Sequence, residues 1–221
     1  MKGSVRRHLA SEDHERISLM PAKHDGARSP QKQRILEAAA ELFAKNGYEA
    51  TGIAELSEAV GLGRGALYHH IGSKEELLYE ISRTRPVEMV AFGEALLAEN
   101  VSAEDKLRRL SRRMMETLST NLTGATVFLA DSRSLTDRHR REIVKLRDRF
   151  EAIWAAILEE GVREGRFRAT HPLVRKGVLG LYNYSYVWLN PDGELPPTEI
   201  ADLFSDFILH ALTPGSGSCG R

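Results

Sequence analysis

Cysteine is nearly absent from this chain: its 221 residues include one, Cys219, within the run PGSGSCGR. An intrachain disulfide is therefore excluded, and the flanking glycines and serines read as a flexible end over residues 214–221. Net charge is absent too, because 31 lysines and arginines balance 31 aspartates and glutamates. Contact with a polyanion must then come from a local patch, since the field of the whole protein offers no help. No apolar run approaches the ~20 residues that span a bilayer, and no apolar signal core precedes the first charges. The chain reads as a cytoplasmic protein of a reducing compartment, with no membrane partner. Strand-like alternation is missing as well. What remains is a 42% hydrophobic content, sufficient for a packed core and arranged throughout with helical periodicity.

Residues 1–28 are polar, mixed in charge and without sustained period, and are expected to form a disordered leader. From Ser29 the pattern changes. Ile35, Leu36, Ala39, Leu42 and Phe43 recur at helical spacing until Asn46 and Gly47 supply a stop. Thr51 stands where an N-cap is wanted, ahead of a short helix from Gly52 to Val60 with Ile53, Leu56 and Val60 on one face. Gly61, Leu62 and Gly63 form a three-residue turn into a second short helix, Arg64 to His70. Ser73 and Glu76 then make a capping box for the next helix.

The stretch GLGRGALYHHIGSKEEL, residues 61–77, sets three glycines within five positions, followed by an aromatic, two histidines and a lysine. A nucleotide-phosphate loop is disfavoured, because no strand precedes it and the GxxxxGK[ST] order is missing. A metal site is disfavoured because His69 and His70, adjacent on a helix, diverge by about 100°. Two short helices joined by a tight glycine turn instead describe a helix-turn-helix. Its second helix must present a thin polar face to a major groove about 12 Å wide. Arg64, Gly65, Ala66, Tyr68 and His69 form that face, Leu67 points inward, and the small residues at 63, 65 and 66 allow close approach to phosphate and base edges. His70 reads as partly buried with no role.

These residues resemble the tetracycline-repressor-like (TetR-type) transcriptional regulators. TGIAELSEAVGLGRGALYHHIGSKEELL matches their DNA-binding segment without a gap, and ILEAAAELFAKNGYEAT matches the helix before it. The resemblance implies an all-α protein of about nine helices: a three-helix DNA-binding domain over 29–80 and a larger ligand-binding, dimerising domain over 81–213. It places Thr51 on a phosphate, Arg64 and Gly65 at base edges, Tyr68 and His69 on the backbone, and Lys74 on a further phosphate, with Gly63 as the cap. Three positions depart from the pattern: Ser57 replaces the usual alanine, Gly63 the usual serine or threonine, and Ile71 the usual phenylalanine. The last removes core area behind the reading helix.

Beyond Arg85, Pro86 is expected to break or restart a helix, giving Val87–Glu99 as a separate element. Helices follow at Ala103–Leu118, near Ala125, from Asp137 or Arg138 to Arg163, from Pro172 to about Leu189, and at Thr198–Leu212. In LGLYNYSYVWLN, Tyr182, Tyr184, Tyr186 and Trp188 alternate, so on a helix they spread round most of the circumference. The final helix carries an apolar stripe from Ile200 to Ala211 too wide for one contact. Together these two helices suggest a four-helix interface with a second copy, a two-fold homodimer reading an inverted repeat with recognition helices about 34 Å apart.

The run VFLADSRSLTDRHRREIVKLRDRFEAIWAAILEEGVREGRFR, followed by NYSYVW, resembles the branch of this family that represses fatty-acid, aromatic and sterol degradation and responds to acyl-CoA thioesters. That resemblance implies a small-molecule effector with Phe128, Trp154, Asn183 and Tyr186 as pocket walls, and with Arg133 or the arginines at 108–113 on its phosphates. A multidrug or aromatic-compound repressor is the alternative. Buried unpaired carboxylates in the second domain favour it, whereas arginines at a pocket mouth favour the thioester. No nucleophile or acid–base pair is held together by any motif, so neither an enzyme nor a cofactor is expected.

Overall fold

The structure is a computed structural model that describes residues 29–214. The leader expected over 1–28, and the tail that holds Cys219, lie outside the described residues. Among those described there are nine α-helices and no strand.

The first helix, α1 (Pro30–Asn46), starts where Ser29 Oγ accepts the Lys32 N–H at 3.2 Å and proline occupies the first turn. Helix α2 (Ile53–Val60) is capped by Gly52 and ends at Gly61, whose φ of +66° is left-handed backbone that glycine adopts without a Cβ clash. Helix α3 (Arg64–Ile71) follows at once from Gly63. These short helices cannot hold themselves together. They are held by a core of Ile35, Phe43, Leu56, Leu67 and Leu78, into which Ile71 is also buried.

Helix α4 (Lys74–Leu97) runs unbroken through Pro86, which corrects the expected break. An interior proline loses one backbone hydrogen bond and crowds the carbonyl four residues back, a cost of about 3 kcal/mol. Burial on both sides of it offsets that cost. Leu77, Leu78 and Ile81 enter the first core, while Met89, Val90 and Leu96 enter a second. The helix also lies close against its neighbour: a Cβ at Gly93 would sit 2.8 Å from Ile153.

The second core is built by α4 with α5 (Ala103–Thr120), α6 (Leu122–Asp131), α7 (Asp137–Arg163), α8 (Pro172–Tyr184) and α9 (Pro197–Leu212), around Leu107, Leu110, Trp154, Ile157, Tyr182 and Ile208. Helix α6 begins three residues earlier than the apolar pattern suggests, because Asn121 Oδ1 caps the Gly124 N–H at 3.0 Å. Helix α8 stops at Tyr184 and not near Leu189, giving way to a 3-10 turn over Ser185–Val187. The buried Tyr182 hydroxyl donates to Ser111 Oγ at 2.5 Å, so this end of α8 is pinned to α5 while Tyr184 and Trp188 turn outward.

Candidate functional site

The outer face of α3 is open as the residue pattern predicts. Gly63, Arg64, Gly65, Ala66, Tyr68 and His69 are exposed, His70 is half-buried, and Leu67 is fully buried. Among the described residues, no side-chain hydrogen bond or ion pair occupies Arg64 or Tyr68. A Cβ at Gly65 would meet nothing within 4 Å, so the fold itself does not require glycine there. A bare backbone on the exposed first turn of a helix is instead suited to close approach by another molecule.

Two residues assigned to phosphates are used differently. Thr51 is not the α2 cap and is 0% exposed, with its hydroxyl donating to the Gly47 carbonyl at 2.9 Å. Buried in this way, it cannot touch a phosphate. Lys74 Nζ donates to the Tyr48 and Thr51 carbonyls at 2.8 and 2.9 Å and stands 4.2 Å from the Tyr48 ring centroid. Two of its three N–H bonds thus tie the α1–α2 loop to the start of α4, which explains a cation on a first turn that the helix dipole disfavours. The serine at 57 carries a cost, since its buried Oγ has no partner.

The start of α4 is also fastened to α7. Glu75 accepts from the Thr136 N–H at 3.1 Å and hydroxyl at 2.9 Å, and lies 2.8 Å from His139 Nδ1. Burial would raise the Glu75 carboxyl pKa, but the bonds from His139 and Thr136 prevail and hold it below the usual carboxylate range. Tyr79 stacks on His139 with centroids 4.0 Å apart and bonds Glu142, and burial with that bond pushes its hydroxyl up to about 12. Glu75, Glu76 and His139 gather three possible metal-ligand atoms within 4.8 Å, and in this structure two of them are joined by the 2.8 Å hydrogen bond.

A cavity of about 260 Å³ opens between α4, α6, α7 and α8. Phe128 and Asn183 line it. Trp154 does not: it is fully buried in the second core beside Tyr182. Tyr186 lies in the 3-10 turn outside the lining, and Arg133 is exposed elsewhere. The arginines at 108–113 are also unavailable, because Arg108 pairs with Asp206 at 2.7 Å, Arg112 with Asp202 at 2.7 Å, Arg109 with Glu99 and Arg113 with Glu88. The cations that do line the cavity are Arg85, Arg147 and Lys176. The trace of Arg85 in the sequence is its spacing: Leu78, Ser82, Arg85 and Met89 recur at helical intervals, with arginine inside a buried stripe.

On α8 and α9 a groove of about 590 Å³, lined by Val174, Val178, Leu181, Phe207, Ile208 and Ala211, is almost wholly apolar. Phe207 is 70% exposed, and Leu173, Leu203 and Tyr184 are exposed nearby. Among the described residues no helix is long and apolar enough to cross a membrane.

Two family models match the chain, one for bacterial regulatory proteins of the tetR family over residues 35–81 and one for the tetracyclin repressor-like C-terminal domain over 100–212. The HTH-type transcriptional repressor KstR2 of Rhodococcus jostii is 26% identical over 196 residues, 87% of this chain and 96% of its own length. Among solved structures, the TetR family regulator PfmR of Thermus thermophilus is 40% identical with a TM-score of 0.75, covering 80% of this chain and 97% of that one. AibR, crystallised with isovaleryl coenzyme A and operator DNA, is 25% identical with a TM-score of 0.68, covering 83% of this chain and 98% of its own.

Proposed function

Since this chain belongs to the tetracycline-repressor-like family, and is a DNA-binding transcriptional regulator and not an enzyme, we propose that it is a cytoplasmic repressor released from an inverted-repeat operator by an acyl-CoA thioester. Members of this family bind operator DNA and small-molecule effectors and act as dimers. Here α3 reads the major groove through Arg64 and Gly65, with Tyr68 and His69 on the flanking backbone and Gly63 opening the helix. A forked arginine–guanine contact is worth about 1–3 kcal/mol of discrimination. The exposed apolar faces of α8 and α9 pair with the same faces of a second copy.

The observation that carries the effector class is the charge of the cavity. Its wall is apolar at Pro86, Met89, Phe128, Leu146, Phe150 and Leu179, and three cations line it against one carboxylate. That carboxylate, Glu151, is already engaged by Arg175 at 3.0 Å and Lys176 at 3.3 Å. A hydrophobic cation would find no free carboxylate there, which speaks against the multidrug alternative. Arg147, exposed and 5.8 Å from the Phe128 ring centroid, suits the phosphates of a thioester whose acyl group enters beside it. At about 260 Å³ the space falls below the ~300–1,000 Å³ that encloses a whole drug-sized ligand, so it holds the acyl part while the nucleotide stays outside. A similar ligand in a relative, isovaleryl coenzyme A in AibR, supports the reading.

The test is fluorescence anisotropy of the protein on labelled DNA from upstream of its own gene, titrated with a panel of acyl-CoA thioesters. Release by one thioester and not by coenzyme A alone is expected. Binding that persists through every thioester contradicts the effector class.

A further inference from the structure

Arg85 is the least satisfied charge in the described molecule. It lines the cavity yet is only 5% exposed, and its Nε and Nη2 have no hydrogen-bond partner. The carboxylate that acts on it, Glu88, is paired with Arg113, and the one carboxylate lining the cavity, Glu151, with Arg175 and Lys176. Burial draws the guanidinium well below its ordinary value, to about 10, with Glu88 opposing, which leaves it charged at neutral pH. An isolated buried cation is costly unless something completes it. A neutral thioester carbonyl answers that need poorly, while a carboxylate matches the planar fork of a guanidinium with two parallel hydrogen bonds.

We propose that the ligand of this cavity carries a carboxylate that the buried Arg85 receives, borne on a short apolar acid or acyl group. The inference rests on the reading of this cavity as the effector site. The cations of the lining then differ in purpose: Arg147 is exposed and Arg85 is enclosed. The carboxylate can belong to a free acid, or to the far end of a dicarboxylic acyl group whose other end is the thioester. Because α4 begins at the Lys74 clamp beside α3 and carries Arg85 into the second core, an anion bound there acts on the helix that supports the DNA-reading face.

Isothermal titration of the full chain with adipyl-CoA and hexanoyl-CoA, which differ by a terminal carboxylate, tests this without any mutation. We expect adipyl-CoA to bind at least tenfold more tightly, Arg85→Met to abolish the difference, and Arg85→Lys to keep part of it. Without ligand, Arg85→Met should raise the melting temperature, because an unpaired buried charge is removed; a fall indicates an arginine already satisfied and contradicts the proposal. Equal or tighter binding of hexanoyl-CoA overturns the carboxylate and leaves the thioester reading standing. Arg85-dependent binding of free adipate or hexanoate, with no thioester bound, supports the carboxylate and overturns the thioester reading. Failure of all four ligands to bind at 1 mM overturns both.

Discussion

The region around α3 and the region around the cavity treat their polar groups differently. Near α3, Lys74 sits on two carbonyls, Thr51 on a third, and Ser73 on the Glu76 amide at 3.0 Å, leaving Ser57 Oγ as the buried side-chain atom without a partner. In and around the second core, Arg85 Nε and Nη2, Thr117 Oγ1, Trp154 Nε1 and Arg113 Nε are buried without one, as is Ser82 Oγ on the stretch of α4 that joins the two regions, and a broad apolar groove on α8 and α9 faces outward. The first region is complete in itself and offers a fixed shape. On the proposed reading, the second becomes complete with a ligand in its cavity and a second subunit on its groove. A regulator needs both: a rigid reader, and a receiver whose equilibrium another molecule can bias.

If the reader is rigid because it is filled, removing its central anchor should have the largest effect. Leu67→Ala deletes a fully buried side chain and should destabilise the protein by about 2–5 kcal/mol, lowering the melting temperature by circular dichroism and abolishing DNA binding together. An unchanged melting temperature would mean that α3 is not held by its core. For the receiver, the exposed Phe207 should behave oppositely. Phe207→Glu should leave the helical signal intact yet shift sedimentation from dimer to monomer, the loss of an interface anchor worth ~2 kcal/mol or more. A persistent dimer places the interface elsewhere. The smallest effect concerns the junction between the regions. Glu75 titrates below its ordinary range when folded, so its stabilisation is present above the unfolded pKa near 4.5 and is lost as pH falls through the lower folded value. Acid unfolding followed below about pH 4.5 should therefore be shallower in Glu75→Gln than in wild type.

The contrast also explains what can be read from the residues alone. Helices α1 to α3 follow from local rules, with apolar spacing, glycine turns and a serine cap each acting within a few positions. Thr51 and Lys74 escape those rules because their partners, the Gly47, Tyr48 and Thr51 carbonyls, belong to loop backbone that no side-chain pattern reports. Pro86 follows a local rule that burial on both sides overrules. Arg108 and Arg112 look like a free basic edge because the aspartates that take them lie 98 and 90 residues further on, in α9. Phe128 and Asn183 are identifiable as cavity walls, whereas Arg85 is hidden by the habit of counting an arginine as surface.

The central claim is that the exposed face of α3 reads DNA. It is tested most directly by comparing anisotropy of wild type, Arg64→Ala and Gly65→Ala on the upstream DNA and on random sequence at ~150 mM salt, where non-specific affinity is weak. The account predicts that wild type prefers the upstream DNA, and that Arg64→Ala loses about 1–3 kcal/mol of that preference. Gly65→Ala, whose new methyl meets no atom of the protein, should lose affinity without losing stability. A wild type with no preference, or variants that bind as well as wild type, would contradict it.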